Sequence, residues 1–404
     1  MDQTQNPEKR PQSGGLFPPI PGQNPWLDMV RALAILLVLL RHGVHLFPAR
    51  PAEDAGHLPV WTFATNGWSG VDLFLVLSGF LITGVLIRLA DKGGQIRPGI
   101  YLRNRALRII PAYYAALFLT AFGAFPFYAP DAAGMGWRIV YHLLFLQDYL
   151  PANINVAFWS LGVEEKFYLL APFLVLLLLR LRRPAWQALL LASLMALSPL
   201  ARTMHFLTLD PAPDYTQFFS EMRSPFHACL EPLLTGVAIA FLRQRLNVRL
   251  SPSVARQVFL ACLLVLVVWL SSHDFMARIS LIDVTLQPLL LSTLFGVMVF
   301  AASCLDIASP PPGELASRII ARLSYTLYLM HVPLIPLALA MATGQAGPEP
   351  IQFGAYYLCL SALGAMLLHI AVERPFLSLK QRLERTAPYR PGVPAKALPV
   401  RKGM

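Results

Sequence analysis

The chain has 404 residues, of which 56% are hydrophobic and only 14% are charged, and this composition excludes an ordinary soluble protein. Apolar runs close to the roughly 20 residues that cross a bilayer recur along the chain, so we predict an all-α fold, a polytopic bundle of membrane helices. The formal net charge of +11 does not indicate a nucleic-acid partner, because the Lys and Arg residues lie in short loops and tails, where they orient membrane spans.

The two ends of the chain differ from the apolar region between them. Residues 1–24 are polar and rich in Pro, Gly and Gln, which predicts a disordered cytoplasmic tail. We expect residues 384–404 to form a basic cytoplasmic tail and residues 25–383 to form one membrane domain. The four cysteines lie far apart and lack metal-ligand spacing, so we expect neither a metal site nor a disulfide framework.

Ten apolar segments are long enough to span a membrane, and one further segment is too short. Positive charges cluster after the second, fourth, sixth and eighth segments and in the C-terminal tail, so positive-inside bias places both termini in the cytoplasm. The short segment, Trp137–Tyr149, is expected to be interfacial or re-entrant. The predicted spans are Trp26–Phe47, Ser69–Leu89, Leu107–Phe127, Trp159–Leu179, Trp186–Met204, Phe226–Leu242, Ala255–Ser271, Leu286–Leu305, Ile320–Met341 and Phe353–Val372.

The first predicted span carries two polar side chains within an apolar run. Arg31 and His42 share one helix face, about 16 Å apart along the axis, and Asp28 lies near the same stripe. With the predicted topology, Arg31 lies toward the cytoplasm and His42 in the outer half of the membrane. A charge in a span is costly unless it is paired or faces a polar cavity. The alternative is an interfacial Arg together with one tolerated His.

The second and third spans each bring polar side chains to a membrane surface. Asp72 lies near the outer end of the second span, either as a functional acid or as a first-turn acid that interacts with the helix dipole. The small pair Ser78-Gly79 predicts close approach of another helix. Three arginines lie where the chain enters the third span, either as anchors or as a site for a phosphate-rich ligand, since the guanidinium fork matches phosphate oxygens. They are Arg103, Arg105 and Arg108.

Three later spans carry polar side chains at helical spacing, and a fourth ends in an acid–base pair. Ser160, Glu164 and Tyr168 form a stripe on the fourth span, where adjacent acids are costly without a cation or a wet cavity. We interpret the acid–base pair Glu373-Arg374, at the end of the tenth span, as structural. The polar residues of the sixth and ninth spans are His227, Glu231, Ser324, Tyr328 and His331.

No phosphate-binding loop, dinucleotide fingerprint, metalloprotease motif or nucleophile elbow is present in the sequence. Several stretches do resemble the acyltransferase-3 family of bacterial integral-membrane O-acyltransferases. They follow the family's order and cover the chain from Pro25 to Leu383. The matching stretches are Arg31 and His42 with ten residues between them, Gly70–Thr83, Arg105 and Arg108 with Pro111–Tyr114, Trp159–Tyr168, Leu323–Pro333 and Glu373–Phe376.

The resemblance implies a ten-span bundle that moves an acyl group, commonly acetyl, from a cytoplasmic coenzyme A thioester to a hydroxyl of an extracytoplasmic carbohydrate or glycolipid. It implies a multi-pass protein of the bacterial cytoplasmic (inner) membrane, surrounded by membrane lipid. Some members carry an appended SGNH esterase-like domain, and we expect none here. The chain departs from the family pattern at Arg41, at Lys166 and between His227 and Glu231. The acceptor, the acyl chain length and the oligomeric state stay open.

The reaction implied by the resemblance needs a base for the acceptor hydroxyl and a site for the donor phosphates. We assign the base to His42, because imidazole titrates near neutral pH, and expect Glu164 or Asp72 to orient it. The donor is acyl-coenzyme A, in the first place acetyl-coenzyme A, and its expected ligands are Arg31, Arg103, Arg105 and Arg108. The expected substrate contacts are Ser160, Tyr168, His227, Glu231, Tyr328 and His331. Transfer is either direct or through a covalent acyl-enzyme.

Two other functions fit parts of the pattern. A proton-coupled transporter of a small anionic or sugar substrate also lines its interior with Arg, His and Glu, but the sequence shows neither an internal repeat nor paired Gly/Pro-broken spans. A structural partner of a polysaccharide assembly complex would not need His42. Arginines at one depth and His42 at the other therefore favour acyl transfer along the first span.

Overall fold

The computed structural model describes residues 23–47, 59–91, 96–209, 213–272, 275, 279–305, 308–344 and 347–386. Over these ranges the chain is almost wholly helical. Two short antiparallel strands, β1 (Thr343–Gly344) and β2 (Gly347–Pro348), form a hairpin within the described part. Most of the predicted N-terminal tail, and the predicted C-terminal tail beyond residue 386, lie outside the described residues.

The described ranges contain fifteen α-helices, several of which are joined by 3₁₀ or π turns. The helices are α1 (Pro25–Leu46), α2 (Pro59–Thr65), α3 (Gly70–Asp91), α4 (Pro98–Ala121), α5 (Met135–Leu143), α6 (Trp159–Arg180), α7 (Pro184–Phe206), α8 (Tyr215–Phe218), α9 (Leu230–Gln244), α10 (Pro252–Ser272), α11 (Leu281–Thr285), α12 (Gln287–Cys304), α13 (Glu314–Ala342), α14 (Pro350–Leu368) and α15 (Arg374–Thr386). The 3₁₀ turns are Asn66–Ser69, Val156–Phe158 and Phe226–Ala228, and the π turns are Phe219–Arg223 and His369–Glu373.

Helices occupy the positions of all ten predicted spans. Among the described residues, seven continuous helical stretches are long and apolar enough to cross a membrane, which confirms a polytopic helical membrane protein. Charged side chains lower the hydropathy of α4 and α6, and α9 has only 15 residues. The count of ten, and with it the cytoplasmic placement of both termini, therefore stays a prediction. The short segment forms α5, whose 9 residues cannot span a bilayer.

The sequence supplies a cap where α1 begins. The Asn24 side chain accepts a hydrogen bond from the Trp26 backbone N–H at 2.8 Å, and Pro25 occupies the first turn, where its missing N–H has little cost. Asn24 Nδ2 also donates to the Ala302 carbonyl at 3.1 Å, and Trp26 Nε1 donates to the Ser309 carbonyl at 3.0 Å. The start of α1 is thus fixed against the end of α12 and the loop that follows it.

Helices α1 and α3 lie at the centre of the bundle. Their buried side chains belong to both large hydrophobic clusters, one shared with α4, α6, α9, α13 and α14 and the other with α10 and α12. A Cβ at Gly79 would lie 2.1 Å from the Leu233 carbonyl oxygen, and a Cβ at Gly236 would lie 2.1 Å from the Val76 carbonyl oxygen. The close helix approach predicted from Ser78-Gly79 is therefore confirmed, and its partner is α9.

Helices at the periphery expose apolar faces. Only 11% of the apolar window of α7 and 28% of that of α10 is buried. Leu189, Leu197 and Leu200 on α7 are each about half exposed. A continuous apolar surface of this kind is unfavourable in water and suits a lipid environment.

Candidate active site

A cavity of 1410 Å³ lies between α1, α3, α4, α6, α9, α13 and the junction of α14 with α15. Its described lining carries nine Lys or Arg side chains and five Asp or Glu side chains. This excess of cations suits a polyanionic ligand. The basic residues are Arg31, Arg88, Arg105, Arg108, Arg243, Arg249, Arg322, Arg374 and Lys380, and the acidic residues are Asp28, Asp91, Glu164, Glu165 and Glu373.

The structure brings three of the four predicted donor arginines to this cavity. They are Arg31, Arg105 and Arg108. Arg31 Nη1 lies 3.5 Å from Asp28 Oδ1, so the stripe predicted on α1 forms an ion pair. The Arg105 guanidinium lies 5.9 Å from the ring centre of Tyr101 and 5.8 Å from that of Tyr168. The aromatic rings hold this cation against α6.

Arg103 is not brought to the cavity. Its Nε and Nη2 donate to Asn104 Oδ1 at 3.3 and 3.2 Å. Residues two positions apart in a helix are separated by a rotation of about 200° around the helix axis, so Arg103 projects from the side of α4 opposite Arg105. Arg108 lies three residues beyond Arg105 and therefore shares its face. The position of Arg103 does not support its assignment as a donor ligand.

The polar stripe predicted on α6 does face the cavity. Ser160, Glu164 and Tyr168 all line it, and the Tyr168 hydroxyl donates to Glu164. The Tyr328 hydroxyl lies 2.7 Å from Ser160 Oγ and donates to the Ala157 carbonyl at 2.6 Å. Since Tyr328 has a single hydroxyl hydrogen, Ser160 is the donor to Tyr328. Both hydroxyl side chains of this pair belong to the described lining of the cavity.

His42 lies beside a second histidine. Its Nδ1 is 3.0 Å from the Val38 carbonyl oxygen and 3.2 Å from His331 Nε2, and the two ring centres are 4.9 Å apart. His331 Nδ1 is 3.1 Å from the Leu327 carbonyl oxygen. Neither histidine belongs to the described lining of the cavity. Tyr328 does belong to it, and the centre of its ring lies 5.8 Å from the centre of the His331 ring.

The two carboxylates expected to orient His42 lie elsewhere in the described structure. Glu164 is one turn, about 6 Å, farther along α6 than Ser160 and lies toward the arginines. Asp72 is engaged by Arg223, with Nη1–Oδ1 and Nη2–Oδ2 distances of 3.0 and 3.1 Å. The neighbour of His42 is therefore an imidazole, and this part of the predicted arrangement needs correction.

Arg223 is a partner that the sequence pattern did not assign. Its guanidinium lies 5.1 Å from the ring centre of Trp68 and 5.2 Å from that of Trp159. The ion pair with Asp72 joins α3 to the π turn that ends at Arg223. The signal in the sequence that could have pointed to Arg223 was its position one turn before His227.

The two candidates of the sixth predicted span are held by protein groups. Glu231 is fully buried and forms an ion pair with Arg202 of α7. His227 Nδ1 is 3.1 Å from the Tyr149 hydroxyl, and the two rings stack with centres 5.7 Å apart. Neither candidate is among the described lining of the cavity. Their assignment to the substrate stays a prediction.

The acid–base pair interpreted as structural lies in the cavity wall. Glu373 and Arg374 both line the cavity, and Glu373 Oε2 is 2.7 Å from His369 Nδ1 across a π turn. Such turns occur frequently at functional sites. Glu165, which lies outside the spacing of the predicted Ser160, Glu164 and Tyr168 stripe, also lines the cavity, and its buried Oε1 has no hydrogen-bond partner in the described structure.

A family model described as an acyltransferase domain matches residues 24–370 of the chain. The chain belongs to the acyltransferase-3 family. Its relatives include the peptidoglycan O-acetyltransferase OatA of Listeria monocytogenes, 27% identical over 78% of this chain and 49% of the relative. The O-acetyltransferase OatA of Staphylococcus aureus is 24% identical over 87% of this chain and 57% of the relative. The chain thus spans about half the length of these curated relatives, and none of the solved structures matches it.

The matched acyltransferase-3 region contains the histidine pair and most of the cavity wall. The match ends at residue 370, so the lining residues that lie beyond its C-terminal limit are Glu373, Arg374 and those of α15. Together with the apolar helices, family membership makes this a multi-pass bacterial membrane protein.

Proposed function

We propose that this protein is a membrane O-acyltransferase that moves an acyl group, in the first place acetyl, from acyl-coenzyme A to a hydroxyl of an extracytoplasmic carbohydrate. One observation carries the proposal: Arg31 of α1 lines a cationic cavity, and His42, about three turns farther along the same helix, pairs with His331. The polar contact of Ser160 with Tyr328 belongs to the cavity lining, and the Tyr328 ring lies beside that of His331.

The cavity fits the charge of the proposed donor. Coenzyme A carries several phosphate groups at one end and a thioester on an extended arm at the other. Arginine forks bind phosphate oxygens bidentately, and Arg31, Arg105 and Arg108 face one space. Arg31 and His42 are about 16 Å apart along α1, a distance that an extended arm covers. We place the arginine end at the cytoplasmic surface of the inner membrane, where acyl-coenzyme A is available.

The proposed chemistry uses His42 as a general base. Its Nε2 takes the proton of the acceptor hydroxyl while the hydroxyl oxygen attacks the thioester carbonyl carbon. The new C–O bond forms, the C–S bond breaks, and the thiolate receives the proton from the imidazolium. The products are an ester and the free coenzyme A thiol.

We propose a cell-envelope carbohydrate as the acceptor, with peptidoglycan first. This choice is supported by the name of the Listeria monocytogenes relative, a peptidoglycan O-acetyltransferase. Mass analysis of peptidoglycan, surface polysaccharide and glycolipid, with and without the protein, identifies the acceptor by one added ester.

Arg108→Gln and Arg103→Gln form a matched pair that tests the donor site. Both substitutions remove one guanidinium from α4, but only Arg108 lines the cavity. The assay uses purified full-length chain in liposomes with acetyl-coenzyme A and peptidoglycan fragments. We expect Arg108→Gln to raise the KM for acetyl-coenzyme A by about tenfold or more, because it removes a charge-assisted hydrogen bond to phosphate.

The control variant, Arg103→Gln, is expected to keep a KM close to that of the parent chain. Equal KM values in the two variants, or a parent chain that forms no ester, would show that the proposed donor site or the proposed reaction is wrong.

A further inference from the structure

The hydrogen bonds of the histidine pair define which ring nitrogen carries each hydrogen. His331 Nδ1 faces the Leu327 carbonyl at 3.1 Å, and a carbonyl only accepts, so this nitrogen is the donor. His42 Nδ1 faces the Val38 carbonyl at 3.0 Å and is a donor for the same reason. In each neutral ring the nitrogen without a hydrogen, which can accept, is then Nε2. The Nε2 atom of His331 lies 3.2 Å from His42 Nδ1.

We propose that His331 is a positioning residue for His42. It shares the single Nδ1–H of His42 with the Val38 carbonyl as a second acceptor, supports the tautomer that leaves His42 Nε2 free as a base, and stabilises the imidazolium that forms. This inference rests on the proposed function, and it gives His331 the role that the sequence pattern assigned to Glu164 or Asp72.

The burial of the two rings distinguishes positioning from substrate contact. The side chain of His331 is fully buried, with 0% of its surface exposed, whereas His42 is partly exposed. A residue without accessible surface cannot touch an acceptor sugar. The expected substrate contact at His331 is therefore replaced by a contact to His42.

Helix α13 holds His331 in place through polar contacts on both sides. Pro333 lacks an N–H, so the Leu329 carbonyl is without its helical donor. Buried Asn155 supplies one, with its Nδ2 3.3 Å from that oxygen. One turn before His331, Tyr328 is fixed by the Ala157 carbonyl. A supported second ring is what orientation of a catalytic base requires.

The bond between the rings strengthens during the reaction. When His42 Nε2 takes the acceptor proton, its Nδ1–H becomes a charged donor to the neutral His331 Nε2, and charge-assisted hydrogen bonds are the stronger kind. An interaction that grows as charge develops stabilises the transition state more than bound substrate. It therefore affects kcat and leaves KM unchanged.

Two substitutions of His331 separate positioning from packing. His331→Leu removes the acceptor, whereas His331→Gln keeps an oxygen that can accept from His42 Nδ1–H. The assay uses full-length chain in liposomes, with acetyl-coenzyme A and soluble peptidoglycan fragments as probes. We expect His331→Leu to lower kcat by about 100-fold, with both KM values unchanged, and His331→Gln to recover most of the rate.

Other outcomes overturn the inference. If kcat and KM of His331→Leu are both unchanged, His331 has no role in the reaction. If kcat is unchanged but the KM for the fragments is raised, His331 contacts the acceptor. If both variants lose kcat equally and unfold at lower temperatures, the role of His331 is structural. A parent chain that forms no ester defeats the proposed function instead. If His331→Leu does not fold, ¹⁵N spectra of the two rings in the parent chain decide. An Nδ1–H tautomer of His42 with a through-hydrogen-bond coupling to His331 Nε2 supports the inference. An Nε2–H tautomer, or an Nδ1–H tautomer without that coupling, overturns it.

Discussion

Breaking the buried ion pair between Arg202 and Glu231 is expected to destabilise the fold rather than to weaken acceptor binding. Arg202 is 3% exposed and Glu231 is 0% exposed. The guanidinium also donates to the Val284 carbonyl from Nε at 2.7 Å and to the Ala228 carbonyl from Nη1 at 2.6 Å. The pair therefore joins α7 to α9, α11 and the turn before α9.

The magnitude follows from what each substitution leaves behind. Glu231→Leu removes both hydrogen bonds to the carboxylate and leaves a buried cation with only two neutral carbonyls. Removing one partner of a buried pair costs about 3–5 kcal/mol, whereas replacing both partners by apolar side chains is close to neutral. We therefore expect Glu231→Leu to be strongly destabilised and the double variant Arg202→Met, Glu231→Leu to recover most of that loss.

Thermal unfolding in detergent, followed with a thiol-reactive fluorophore, measures this effect. Cys229 and Cys262 are buried and become reactive when the chain unfolds. Cys304 and Cys359 are more accessible, so Ser replaces both in every variant. If Glu231→Leu unfolds at the parent temperature but shows a raised KM for the carbohydrate acceptor, Glu231 contacts substrate and the structural reasoning is refuted.

Two further predictions concern packing and pH. Gly236→Val is expected to abolish folded protein in size-exclusion chromatography, because a Cβ there would lie 2.1 Å from a backbone oxygen of α3; Gly99→Val, with nothing within 4 Å of its Cβ, is the control. Burial lowers the pKa of His142 in α5 from 6.5 to about 4, so the folded state favours the neutral ring. Its contribution to stability is complete above about pH 6.5 and is lost as pH falls toward 4. The unfolding temperature should therefore fall between about pH 7 and pH 5 in the parent chain and less in His142→Gln; equal pH dependence would contradict this.

The helices and the arginine site were predictable because their signals are local. Asp28 and Arg31 lie one turn apart on a single helix, as do Arg105 and Arg108, so spacing alone determines their shared faces. The stripe that begins at Ser160 faces the cavity for the same reason. The separation of Arg103 from this group follows from the same helical geometry.

Contacts between helices were less predictable, because they depend on the depth and rotation of each helix in the bundle. His331 is 289 residues from His42, and Arg223 is 151 residues from Asp72. A carboxylate is the familiar partner of a catalytic imidazole, which favoured an acid beside His42. In the structure, the two hydrogen-bond partners described for the His42 ring are a carbonyl and His331.

Transfer of a labelled acetyl group across the bilayer tests the central claim most directly. Full-length chain is placed in liposomes that enclose peptidoglycan fragments, and radiolabelled acetyl-coenzyme A is added outside. The account predicts a base-labile labelled ester on the enclosed sugar with the parent chain and none with a folded His42→Ala variant. Equal labelling by His42→Ala, or proton-coupled flux of sugar without any ester, would contradict it.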